Sequence, residues 1–153
     1  SAIAVRQKPI HASGYKGAPR NMRDCLESGC LREKLGIPSG ERRELCRGLH
    51  AEQNVIIQAA VHGISLEGST IYCTSQPCLI CTKMLINCGV AAVFYSDPYP
   101  DPMAEDMFAE AGISLSQLSF PSGTGPEFDE NARERADPLV RCPCASCGPK
   151  ADK

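Results

Sequence analysis

Two short stretches of this chain combine residue types that can bind a metal and move a proton. They are His50-Ala51-Glu52 and, beginning 25 residues after Glu52, Pro77-Cys78-Leu79-Ile80-Cys81. Two cysteines three positions apart in the first turn of a helix share one face, close enough to hold a single ion. The exposed amides and dipole at that helix end favour thiolate over thiol, and zinc needs the thiolate. His50 as a third ligand completes a Cys₂His set, which leaves the fourth tetrahedral position for water. Structural zinc sites close that position with a fourth protein ligand, whereas catalytic ones keep it open. Glu52, two residues beyond His50, lies near such a metal without needing to coordinate it. From there it can take a proton from the water and return it to a substrate. Each half alone is a weak signal, since Cys-x-x-Cys also serves redox proteins and zinc ribbons without catalysis, and His-x-Glu occurs by chance.

These residues need a scaffold, and the pattern of the chain supplies one. Residues 2–5 and 10–15 read as the strands of a hairpin turning at 6–9, followed by Gly14, Gly17 and Pro19 as loop punctuation. Residues 24–48 form a polar, charge-rich excursion in which Gly36, Pro38 and Gly40 break any long helix. Residues 49–61 have helical periodicity in Val55, Ile56, Ala59 and Ala60, and Gly63 ends them. A strand over 70–74 leads to a helix opening at Pro77 and ending near Cys88-Gly89. A buried strand over 91–96, a helix over 103–111 and a last strand over 113–120 follow. Alternation of strand and helix from 49 to 120 predicts a layered α/β domain. Residues 121–153, rich in Pro, Gly and charge, cannot build a core and read as a mobile tail.

Composition narrows the partners. With 153 residues there is room for one domain, and 42% apolar content gives it a real core. Lys plus Arg total 16 against 18 acidic residues, a net charge of -2 that argues against gripping nucleic acid through its phosphates. No apolar run approaches the length of a membrane span, and no signal-peptide core is evident. Ten cysteines would suit an extracellular disulfide framework. A sizeable core and short, metal-like cysteine spacings favour zinc thiolates in a reducing cytoplasm instead.

The paired motif His-x-Glu and Pro-Cys-x-x-Cys is the mark of zinc deaminases. Together with Gly14-Tyr15-Lys16-Gly17-Ala18-Pro19, Cys25, Cys46, Gln53-Asn54 and Ser96-Asp97-Pro98-Tyr99, it resembles the deoxycytidylate (dCMP) deaminase family over about residues 1–120. The resemblance implies a three-layer αβα sandwich of the cytidine-deaminase type around a five-stranded mixed sheet. It implies hydrolysis of dCMP to dUMP and ammonia, with zinc on His50, Cys78 and Cys81 and Glu52 as proton shuttle. The loop from Gly14 to Arg20 would face sugar and phosphate, bringing Lys16 and Arg20 to the substrate beside Ala51, with Tyr99 near the pocket. Arg23 is a third cation in that loop. A homo-oligomer with dCTP and dTTP as effectors is also implied. The family has a helix ahead of its first strand, and this chain starts about where that strand does, so the helix is expected to be absent. Lys16 stands where the family commonly has Asn, which is expected to contact the deoxyribose. A lysine cannot accept a hydrogen bond, which leaves the sugar preference open.

Cys25, Cys30 and Cys46 suggest a second, structural zinc in the excursion, its fourth ligand open between His11 and a tail cysteine. Cys73 and Cys88 read as buried thiols, and Cys142, Cys144 and Cys147 as a metal or redox clip. Two other functions remain: a deaminase of a base within RNA or DNA, such as tRNA adenosine, and an idle zinc-stabilised module that binds nucleotides. The acidic balance argues against the first, and the effect of removing the Glu52 carboxylate separates the second from an enzyme.

Overall fold

The computed structural model describes residues 1–38 and 41–119. The tail, with Cys142, Cys144 and Cys147, lies outside these residues. The described chain divides into two compact units, one made of Ser1–Lys16 and His50–Ser119, the other containing Gly17–Leu49.

The first unit holds a five-stranded mixed sheet. Strands β1 (Ala2–Val5) and β2 (Ile10–Gly14) form the expected hairpin, and β3 (Thr70–Ser75), β4 (Ala92–Asp97) and β5 (Ser114–Gln117) follow in the order β2-β1-β3-β4-β5. β1 runs antiparallel to both neighbours, whereas β3, β4 and β5 are parallel. Gln7 and Lys8 take positive φ at the hairpin turn, which twists with the strands. β5 is shorter than its sequence suggested.

Three helices cover one face. In chain order the helices are α1 (Cys25–Ser28) and α2 (Leu31–Lys34) of the second unit, then α3 (Ala51–His62), α4 (Leu79–Asn87) and α5 (Pro102–Glu110) of the first. α3 packs on β1 and β2, α4 on α3 and α5, and α5 on β5. Alternate strand residues Ala2, Ala4, Ile71 and Val93 meet Val55, Ala59, Leu85 and Phe108 from the helices in one core. On α3 the buried stripe is narrower than its periodicity implied, since Ala60 is exposed. The opposite sheet face presents half-buried Ile3, Val5, Tyr72 and Phe94, the last two stacked with ring centroids 5.3 Å apart.

One contact between layers is unusually close. A Cβ on Gly14 would lie 2.3 Å from the Ala51 carbonyl oxygen and 2.7 Å from the Val55 amide nitrogen. Gly14 lacks the positive φ of the turn glycines, so it is required by this approach and not by a turn. Two hydrogen bonds hold the same seam: the Ser13 amide donates to Gln58 Oε1 at 2.6 Å, and Asn54 Nδ2 donates to the Tyr15 carbonyl at 2.7 Å. The end of β2 is thereby fixed to the first turns of α3.

The second unit is built from short pieces, as its glycines and prolines imply. Asp24 caps α1, its Oδ1 accepting from the Leu26 and Glu27 amides at 2.8 and 3.1 Å. A single 3₁₀ turn, Arg43–Leu45, follows α2, and a pair of backbone hydrogen bonds between Gly17 and Leu49 joins the ends of the unit.

Candidate metal centre and active site

Both helices that carry the chemistry begin on a ligand. His50 occupies the N-cap of α3, and its own amide donates to Gln53 Oε1 at 2.8 Å. Cys78 occupies the N-cap of α4, reached from β3 through Gln76 and Pro77, and Cys81 lies one turn on. His50 Nδ1 is 3.5 Å from each sulfur, and the sulfurs are 3.7 Å apart. Tetrahedral zinc, with Zn–S near 2.3 Å and Zn–N near 2.05 Å, requires donor separations of about 3.8 Å between sulfurs and about 3.6 Å from sulfur to nitrogen. The triangle fits. Two sulfurs and an imidazole are also the donor set that selects zinc over harder cations. Among the described residues, no fourth His, Cys, Asp or Glu joins this group.

Electrostatics at the two sulfurs differ. The Cys78 thiol is pushed down to about 3, chiefly by the hydrogen bond it shares with Cys81 and further by one with His50, against its burial. Cys81 is pushed up by the same sharing and by burial. Glu52, in the first turn of α3, is 8% exposed, and burial raises its carboxyl above the ordinary value. His50 opposes that shift and Cys78 adds to it. Cys73, buried in β3 as expected, stays a neutral thiol because burial and the Glu52 charge both push its pKa up.

Residues 1–97 match the family model described as the cytidine and deoxycytidylate deaminase zinc-binding region. The chain belongs to this deaminase family. The family is a zinc-binding one, and His50, Cys78 and Cys81 are positioned to hold a metal. The chain is 38% identical to the deoxycytidylate deaminase of Enterobacteria phage T4, over 74% of this chain and 76% of that one. With ComE operon protein 2 of Bacillus subtilis it shares 33% identity over 78% of its own length and 59% of the relative's. With the Saccharomyces cerevisiae deoxycytidylate deaminase it shares 34% over 77% of its own length but only 37% of the relative's. It therefore spans little more than half of the first of these two relatives and just over a third of the second. Among solved structures, the dCMP deaminase of cyanophage S-TIM5 in complex with dCMP and dUMP superposes with a TM-score of 0.63 and 30% identity, over 76% of this chain and 79% of that one.

The other candidate residues of this family member are less concentrated. Ala51 is buried as the first residue of α3, and Lys16 is half-buried two residues beyond β2. Tyr99 is half-buried after β4, where its amide donates to Gln76 Oε1 at 3.4 Å. Arg20 and Arg23 are exposed in the second unit. Cys25, Cys30 and Cys46 are not gathered into a ligand group among the described residues. Cys25 opens α1 and Cys30 caps α2, both buried, while Cys46 is half-buried after the 3₁₀ turn.

Three polar residues near the site carry no metal-binding signature: Gln76, Asp101 and Glu105. Gln76 is buried, and its Nε2 donates to Glu105 Oε1 at 2.9 Å. The only hint of Asp101 in the sequence is its place ahead of Pro102, a pairing typical of a helix N-cap and first position.

Cys81→Ser is expected to reduce bound zinc from about one ion per chain to well under a tenth at micromolar protein. It replaces a thiolate with a hydroxyl that zinc binds poorly. Elemental analysis after gel filtration measures this directly.

Proposed function

We propose that this chain hydrolyses the exocyclic amine of a free pyrimidine nucleotide, converting dCMP and water to dUMP and ammonia. The observation that carries the reading is the His50, Cys78, Cys81 triangle of tetrahedral zinc spacing beside a buried glutamate. The named deoxycytidylate deaminases and the solved relative holding dCMP and dUMP support the substrate. When bound, zinc supplies the Lewis acidity that makes water a competent nucleophile at neutral pH. Glu52 accepts the proton that water loses on attacking C4 of the ring. It passes that proton to the departing amino group, so that the C–N bond breaks as ammonia leaves. Burial raises the Glu52 carboxyl toward the range in which it can both take and give a proton.

The remaining roles follow the same reading. Lys16 and Arg20 supply cations for the phosphate, Ala51 lines the pocket at the start of α3, and Tyr99 flanks the base. The deaminase domain extends through β5 to residue 120. The working protein is a homo-oligomer that responds to dCTP and dTTP, in a cytoplasm whose reducing poise keeps its thiolates on zinc. No described helix is long and apolar enough to cross a membrane.

A panel of dCMP, CMP, dCTP, cytidine and adenosine-bearing RNA, read by ammonia release, tests this. The expected result is highest kcat/KM for dCMP. Turnover confined to the polynucleotide would overturn it.

A further inference from the structure

An N-cap residue ordinarily turns its side chain back onto the first amides of its own helix. Cys78 does not do this for α4; its sulfur meets His50 and Cys81 instead. The Leu79 amide, the first of α4, has no acceptor within the helix and needs one from elsewhere. It finds the side chain of Asp101, whose Oδ2 accepts from Leu79 at 3.1 Å. The other oxygen of that carboxylate caps α5, accepting from the Ala104 amide at 3.3 Å. A single carboxylate therefore serves the N-termini of two helices, one of them the zinc helix.

A second set of bonds holds the same loop in place. The Gln76 amide donates to the Asp97 carbonyl at 3.0 Å, and the Gln76 side chain joins the Tyr99 amide to the Glu105 carboxylate. The chain from Asp97 to Asp101 is thus tied at both ends to the turn that presents Cys78. Gln76 is almost wholly buried, so these bonds are shielded from competing water.

We propose that Asp101 is a positioning residue for the zinc site, capping α4 in place of Cys78 and so releasing the Cys78 sulfur to the metal. The carboxylate fixes the peptide that follows Cys78 and with it the direction of the Cα–Cβ bond. Outer partners of this kind commonly change metal affinity 10- to 100-fold. The inference rests on the zinc reading above but not on turnover.

The discriminating variant is Asp101→Ser. A serine hydroxyl still caps its own helix, α5, but is too short to reach Leu79 as well. Zinc affinity, measured by competition with a chromophoric chelator, is expected to fall about tenfold. The cobalt-substituted protein should show shifted ligand-field and thiolate charge-transfer bands. Asp101→Asn, with one acceptor oxygen in place of two, is expected to fall between Asp101→Ser and the parent, and it serves if the serine variant does not fold. Phe108→Leu, which loosens α5 without touching the bridge, is the control and should leave the cobalt bands unmoved. Unchanged affinity and spectrum in Asp101→Ser, or an equal change in Phe108→Leu, would overturn the proposal. A protein whose metal site responds as expected but that deaminates nothing would instead overturn the proposed function.

Discussion

Replacing Glu52 with glutamine is expected to lower kcat roughly 10³- to 10⁴-fold while one zinc per chain is retained. The carboxylate lies outside the donor triangle of His50, Cys78 and Cys81, so its loss removes no ligand. Glutamine nearly matches glutamate in volume and keeps the first turn of α3 filled, yet it cannot accept and release a proton at neutral pH. General acid–base groups contribute about 10²- to 10⁴-fold, and this one is asked to act twice, on the incoming water and on the outgoing amine. The upper part of that range corresponds to about 4–5.5 kcal/mol of barrier. Zinc content measured alongside dCMP turnover separates the possible roles. Loss of both would make Glu52 a structural support of the metal. Retention of both within tenfold would remove it from the chemistry.

The second large effect lies in the scaffold. Gly14→Ala places a methyl group 2.3 Å from the Ala51 carbonyl oxygen and 2.7 Å from the Val55 amide. Both are backbone groups in the first two turns of α3, and neither can swing aside as a side-chain tip could. Either β2 or the first turn of α3 must move, at a cost of about 2–4 kcal/mol, much of the net stability of an ordinary domain. His50 and Glu52 sit on that turn, so the damage should reach the site. Urea unfolding is expected to show a lowered midpoint with an unchanged slope, and zinc retention should fall in parallel. A midpoint equal to that of the parent would mean the two layers slide apart freely at this seam.

The elements of the first unit are readable from local pattern because each carries its own punctuation. Gly63, in the left-handed conformation, ends α3, and Gly89 follows α4 in the same way. Strands β3 and β4 are apolar runs bounded by loop residues. Where local signals are weaker, the boundaries drift. β5 is confined to Ser114–Gln117 although the apolar pattern runs longer, because pairing with β4 spans only four of its residues. α5 begins at Pro102, since the Asp101 cap sets its start ahead of the first apolar residue. The excursion carries too many breakers for periodicity to show that it contains two one-turn helices, or that Cys25 and Cys30 are buried.

Residue type and short spacing were enough to specify the metal: a cysteine pair three apart at a helix start, a histidine opening another helix, and a glutamate two residues on. Such features depend on helix geometry over one turn, which the chain encodes locally. Only the folded chain decides that His50 Nδ1 comes within 3.5 Å of sulfurs 28 and 31 residues away. The same holds for Glu52, whose burial shifts its carboxyl, and for Asp101, which completes the zinc helix from 22 positions further along the chain. These are distances across a packed layer, set by strand order and by the seam at Gly14. Pattern along a chain repeats every two or 3.6 residues and carries no record of which distant turns will meet.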